Sequence, residues 1–302
     1  MSGEPFARLV VRPSRPDVIL TANSVHGNTK ISILSLENEG ITCLAILGTS
    51  FGRVNSLIWD CRDSCLVADE KGASVFNGDG SSIAYQSIEG CSVARFLGDA
   101  PHVIAACDRS LKLWDTRSKE SSTINLKNVS TISSMDVNPN RNHVIALGGL
   151  DGQITIWDLR HSPKNTTPVQ VFDAHNHHVN NLQFNPLRDE LILSSSTDCS
   201  LKVWCCESAS SGAIDRIPPL IENQRPPLSP LTNPFVPYRG LCFQDKHTQI
   251  PTSRDDRLVS QIHRHSDTVN DVCWSHASPW VVASLSQDGL IMINSLPKYL
   301  TR

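Results

Sequence analysis

The sequence predicts an all-β fold, a propeller of six recognisable four-stranded blades, from three observations. One pattern occurs twice, nearly in register. Ile132, Met135 and Val137, then Val144–Ala146, Asp151–Gly152 and Ile154–Trp157 are matched by Val179, Leu182 and Phe184, then Leu191–Leu193, Asp198–Cys199 and Leu201–Trp204. Self-similarity at roughly 40–45 residues marks WD40-type blades, small sheets that need neighbours to bury both faces. The opening step of the pattern, apolar at i, i+3 and i+5, also occurs at Phe6/Leu9/Val11, Val54/Leu57/Trp59, Cys91/Ala94/Phe96 and Val269/Val272/Trp274. Each such step is followed by two more apolar runs, continuous enough for strands covered on both sides.

The first strands read as the innermost of each blade. Pro13, Pro139 and Pro186 stand two residues past the last apolar position, where a residue with no N–H to donate ends a strand. Second strands are expected at Val18–Leu20, Cys65–Ala68, Val103–Ala106, Val144–Ala146, Leu191–Leu193 and Val281–Ala283, and third strands at Ile31–Ile33, Ala73–Phe76, Leu111–Trp114, Ile154–Trp157, Leu201–Trp204 and Ile291–Ile293. Pro168–Phe172 precedes His175 as an outer strand, and Leu258–Ile262 stands in the same relation to His265. Between Trp204 and that strand lie prolines 218, 219, 226, 227, 230, 234 and 237, a density hostile to sheet. The expected organisation is therefore propeller blades over residues 1–204, a Pro/Ser-rich loop insertion over 205–257, and the rest of the propeller with its last blade over 258–302. Whether six blades close a ring is left open at this level.

Composition excludes several function classes. With 302 residues, 39% hydrophobic, the chain can bury a large core. A net charge of -3 gives no basic footprint for nucleic acid, and 6% aromatic residues give no stacking platform for single strands. No apolar run reaches ~18 residues, so direct membrane insertion is not expected. The N-terminus lacks the basic and apolar regions of a signal peptide. Ten cysteines with no Cys-x-x-Cys pair are expected as reduced, mostly buried thiols in the cytoplasm.

His175, Ser194 and Asp198 have the residue types of a hydrolase triad. His265, Ser284 and Asp288 repeat them at the same His-to-Asp spacing, and a triad would not recur at blade spacing. With Trp204 they are expected to form a structural hydrogen-bond chain that specifies blade packing. His177, His178 and His263 bring more imidazoles, but in separate loops, so no metal site is expected. No phosphate loop or paired carboxylates stand out, so neither enzyme activity nor a cofactor is expected. Arg117 and Arg160 follow Trp-Asp at the same offset in consecutive blades, where forked guanidinium bonds could read an acidic partner. Asn233, Pro234 and Phe235 form a turn motif that offers an aromatic plug. Arg225–Pro230 is a segment of polyproline type, with Ser229 before a proline.

Trp274–Trp280, Ala283–Ser286, Asp288–Gly289 and Ile293–Pro297 resemble the last blade of the EARP- and GARP-complex-interacting WD-repeat family, in which Ile-Asn replaces Trp-Asp. Trp114–Arg117, Ala174–His175 and Asn185–Pro186 fit its middle blades. The resemblance implies a propeller type with seven blades as the usual number, entered by this chain inside the second. It also implies a scaffold or adaptor for the EARP and GARP tethering complexes in endosomal recycling and endosome-to-trans-Golgi retrograde transport. Such an adaptor would be cytoplasmic and peripheral to endosomes and the trans-Golgi network. The Asn-Pro-Phe motif resembles the ligand of EH-domain proteins. The paired Trp-Asp-x-Arg boxes resemble those of substrate receptors of cullin-RING ubiquitin ligases, the alternative function.

Overall fold

The computed structural model describes residues 6–25, 28–37, 40–51, 53–60, 62–98, 102–118, 120–127, 129–160, 167–211 and 256–296. They form six antiparallel meanders, five of four strands and one of three. The first comprises β1 (Phe6–Arg12), β2 (Arg15–Val25), β3 (Asn28–Glu37) and β4 (Gly40–Phe51). The second holds β5 (Val54–Trp59), β6 (Ser64–Asp69), β7 (Gly72–Asn77) and β8 (Ser82–Ser87). The third holds β9 (Cys91–Phe96), β10 (His102–Cys107), β11 (Ser110–Asp115) and β12 (Ser121–Asn125). The fourth holds β13 (Ile132–Val137), β14 (Val144–Gly149), β15 (Gln153–Asp158) and β16 (Gln170–Asp173). The fifth holds β17 (Val179–Phe184), β18 (Leu191–Ser196), β19 (Leu201–Cys205) and β20 (Arg257–Ile262). The sixth ends after β21 (Val269–Trp274), β22 (Val281–Ser286) and β23 (Ile291–Ser295). Every expected first, second and third strand lies within an observed one.

The core sits between blades, as the continuous apolar runs require. Val144, Ala146, Ile154 and Ile156 of the fourth blade pack on Leu182, Phe184, Ile192 and Trp204 of the fifth. Leu191, Leu193, Leu201 and Val203 on the other side of the fifth pack on Val269, Val272 and Trp274 of the sixth. Burying side chains on both faces, at about 25 cal/mol per Å² of apolar area, is what holds strands of five or six residues together.

One device repeats along the inner strands. In β5, β13, β17 and β21 the register with the second strand slips by one at the second residue, and in β9 the matching slip falls between Cys91 and Val93. Such a bulge adds twist and turns one side chain out of alternation. Asn55, Ser133 and Asn180 occupy that place. Each donates to the carbonyl of the first inner-strand residue of the next blade: Cys91 at 2.8 Å, Val179 at 2.6 Å and Val269 at 2.9 Å.

In the last three blades the turn between second and third strands puts one residue in left-handed backbone. Gly152 and Gly289 supply it at φ 82°, whereas the fifth blade places Cys199 there at φ 62°. A Cβ on Gly152 would also stand 2.2 Å from the His175 carbonyl oxygen, so that turn admits only glycine.

Blades pack in chain order. Among the described residues no substantial contact joins the sixth to the first. The outward sides of these two blades are bare: Leu9, Val11, Ile41, Leu44 and Ile46 are exposed on the first, and Leu290, Ile291 and Ile293 on the sixth.

The described residues on either side of 212–255 are held by polar contacts. After β19 a short 3-10 turn spans Glu207–Ala209. Ser210 Oγ and the Ser211 N–H donate to Asp189 at 2.9 and 2.7 Å, and Ser208 Oγ donates to Asp256. β19 and β20 then pair antiparallel, which makes Arg257–Ile262 the fourth strand of the fifth blade.

Candidate functional site

The fifth blade brings His175, Ser194, Asp198 and Trp204 together in one chain of hydrogen bonds. His175 lies in the loop after β16, Ser194 in β18, Asp198 in the next turn and Trp204 in β19, where it stands opposite Ile192. The Trp204 Nε1–H donates to Ser194 Oγ at 3.1 Å, Ser194 Oγ lies 2.8 Å from His175 Nε2, and His175 Nδ1 lies 3.0 Å from Asp198 Oδ2. The donors run one way: indole to hydroxyl, hydroxyl to imidazole, imidazole to carboxylate. Phe172 covers the indole with ring centroids 5.0 Å apart.

The electrostatics agree with a neutral imidazole on a charged carboxylate. Burial pushes the His175 pKa below its ordinary value despite Asp198. Burial alone would raise the Asp198 carboxyl, but bonds from Ser200, His175 and the Asn176 N–H hold it at about 2. The order Asp, His, Ser is that of a hydrolase, yet Ser194 is 0% exposed and its oxygen already accepts the Trp204 indole. No substrate reaches this hydroxyl.

The sixth blade makes half of that chain. His265 Nε2 lies 2.7 Å from Ser284 Oγ, but Asp288 turns to Ser266, Ser286 and the Leu290 N–H, leaving His265 Nδ1 buried without a partner. The register also corrects the alignment taken from the sequence. Asn294 stands opposite Val282 as Trp204 stands opposite Ile192, so Asn294, not Ile293, occupies the tryptophan place. Its amide oxygen accepts from Arg264, while its Nδ2 is buried and unpartnered. Blades three and four carry Ala105 and Leu147 where Ser194 sits, and there Trp114 and Trp157 donate to the Ser118 carbonyl and to Thr155 Oγ1 instead.

Arg117 and Arg160 hold the same place in consecutive blades, but each fork closes on its own turn. Arg117 binds both oxygens of Asp115 at 3.1 and 2.9 Å, and Arg160 binds Asp158 with 2.7 Å as its shortest contact. These bonds hold the Asp115 carboxyl at about 2. Asn233, Pro234 and Phe235, with Arg225–Pro230, lie outside the described residues. Among the described residues no group of three or more His, Cys, Asp or Glu side chains is placed to hold a metal ion.

The apolar repeat does not single out the residues that line the central channel. At the fifth inner-strand position, Asp136 Oδ2 accepts the Phe184 N–H and Gln183 Oε1 accepts the Trp274 N–H, each across a blade seam. Arg95 joins this girdle through Asp136 at 3.3 Å and Ser56 at 3.1 Å. Burial raises the Asp136 carboxyl above its ordinary range, against the pull of Arg95. The signal was present as polar residues at fixed places inside an apolar repeat. Below the girdle a cavity of about 410 Å³ opens where the turns between first and second strands gather, bordered by Arg95, Phe96, Asn142, Gln183 and His276.

Comparison with known proteins fits this geometry. The chain is 26% identical to the human protein named EARP and GARP complex-interacting protein 1, over 92% of this chain and 65% of that protein. It is 31% identical to EARP-interacting protein 1 of Caenorhabditis elegans over 55% of this chain and 39% of that one. It is 28% identical to the Arabidopsis thaliana WD repeat-containing protein DWA2, over 87% and 69%. The chain thus spans about 65% of the human relative's length. A WD-domain, G-beta-repeat model matches residues 256–294. Residues 2–204, blades one to five as far as Trp204, match the model described as the EIPR1 beta-propeller, and on that match the chain belongs to the EIPR1 β-propeller family.

Proposed function

We propose that this chain is a non-enzymatic docking scaffold for the EARP and GARP tethering complexes, acting in endosomal recycling and endosome-to-trans-Golgi transport from the cytoplasmic side of those membranes. The observation that carries the proposal is similarity over 92% of the chain to proteins named for interaction with those complexes. The geometry is in keeping with it. A stack of blades fixes many loops at its two ends, and irregular loops on a rigid frame are the usual carriers of partner contacts. The only Asp-His-Ser chain described is sealed in a blade interior. The arginine forks favour no second reading, because Asp115 and Asp158 already hold the groups a ligase adaptor would have to find. EH-domain binding through Asn233–Phe235 is a finer part of the same proposal.

The test is affinity purification of the tagged chain from cells of its source, followed by mass spectrometry. Recovery of tethering-complex subunits in stoichiometric amount is the expected result. Their absence, with a cullin-ligase adaptor recovered in their place, would overturn the proposal. Phe235→Ala should remove any EH-domain protein while leaving the tethers.

A further inference from the structure

Cys91 and Cys107 face each other across the first hairpin of the third blade. Cys91 opens β9, Cys107 ends β10, and their Cα atoms are register partners. The pair sits at the bulge of β9, where the register slips by one, and paired strands run about 4.7–4.9 Å apart, which keeps the two residues within reach of the roughly 4.4–6.8 Å Cα window of a disulfide. Both side chains enter the same apolar cluster, so both thiols lie on one face of the sheet. Both are free and buried. The Cys91 carbonyl also accepts the Asn55 amide, so this place is a seam between blades two and three at the channel rim.

We propose that Cys91 and Cys107 form a redox site, which hydrogen peroxide closes into a cross-strand disulfide that staples the third blade's first hairpin. The two thiols have unequal roles. Cys91 Sγ donates to the Val93 carbonyl at 3.8 Å and is held in that bond, while its nearness to Cys107, with Lys112, lowers the Cys107 pKa against the effect of burial. The nearby Cys107, with burial, pushes Cys91 well above the ordinary thiol range. Cys107 is therefore the thiolate that attacks first. Its sulfur displaces hydroxide from the peroxide O–O bond and becomes a sulfenic acid; the hydroxide takes up the proton that Cys107 had released, giving water. Cys91 then attacks the Cys107 sulfur, the S–S bond forms as the S–O bond breaks, and the Cys91 proton leaves with the hydroxyl as a second water. Two thiols are oxidised and one peroxide is reduced to two waters.

The experiment uses the intact chain, treated with hydrogen peroxide, quenched, denatured and alkylated, with each cysteine mapped by mass spectrometry. Exposed Cys43 reports the oxidant dose. The expected result is joint loss of alkylation at Cys91 and Cys107, recovered by dithiothreitol, with a peptide pair linked between them. A rise in melting temperature that dithiothreitol reverses should accompany it. In Cys107→Ser, Cys91 should stay alkylatable at the same dose. If both cysteines remain alkylatable when Cys43 is oxidised, or if either links to another cysteine instead, the proposal is overturned.

Discussion

Ser194 has no solvent contact, and its hydroxyl serves an indole on one side and an imidazole on the other. Ser194→Ala leaves two buried groups unsatisfied and should lower unfolding free energy by about 2–4 kcal/mol, measured by urea denaturation. Ser284→Ala removes a single imidazole partner and should lower it by about 1 kcal/mol. Equal losses would show that the two blades rest on the same chain after all. The acid behaviour follows from the same residues. Asp198 is held at about 2 in the folded state against 3.8 ordinarily, so its contribution is present above pH 3.8 and is lost as pH falls through about 2. His175 acts in the same sense. Its folded pKa is lowered, so below pH 6.5 the unfolded chain takes the proton first and stability falls. The Asp198 part is worth at most about 2 kcal/mol, less after solvent screening. Asp198→Asn should therefore flatten the acid limb of a stability profile between pH 5 and pH 2, and an unchanged limb would show that other carboxylates control it.

Each inner strand is specified twice, by what it buries and by the polar side chains it carries across a seam. Asn55→Ala and Asn180→Ala each remove one such bond and should cost about 1 kcal/mol. Because the two seams share no partners, the double variant should cost their sum within about 0.5 kcal/mol, as read from denaturant midpoints. A marked excess would mean that the seams cooperate around the channel. Elements of this kind differ in how legible they are. The first three strands of every blade can be read from sequence because their apolar runs are long and unbroken, and in the four inner blades those side chains are buried on both faces. The fourth strands β4, β8 and β12 escape that reading. Ser82–Ser87 and Ser121–Asn125 face solvent over most of their length and carry no sustained apolar signal. The tetrad was legible because Ser194 and Ser284 interrupt apolar strands at one register. The girdle was not, because Asp136 and Gln183 look like the solvent-facing residues of an alternating strand, as Asn55 does until the bulge aims it at the next blade. The half-made chain around His265 was hidden for another reason: the spacing of His265, Ser284 and Asp288 matches the fifth blade, and the rotation of Asp288 toward Ser266 and Ser286, with Asn294 in the tryptophan place, separates them.

At the scale of the whole molecule, the described residues make a stack with two ends. Each internal seam buries apolar side chains of two blades, whereas Ile291 and Ile293 at one end are 68% and 76% exposed and Ile41 at the other is 66% exposed. The side of the sixth blade that faces the fifth is paired and packed, so its stability does not rest on these isoleucines. Exposed apolar patches of this kind drive association once copies meet at high concentration. A lysine at each position keeps the aliphatic stem along the sheet and puts a charge at its tip, which discourages pairing on the edge that β23 forms among the described residues. Ile291→Lys with Ile293→Lys should change the unfolding free energy by no more than about 0.5 kcal/mol. The same pair should shift the protein toward monomer in sedimentation velocity at high concentration. If the double variant instead lost several degrees of melting temperature, these side chains would have to be buried in solution. The end of the stack would then be covered by a surface that the exposed isoleucines leave room for.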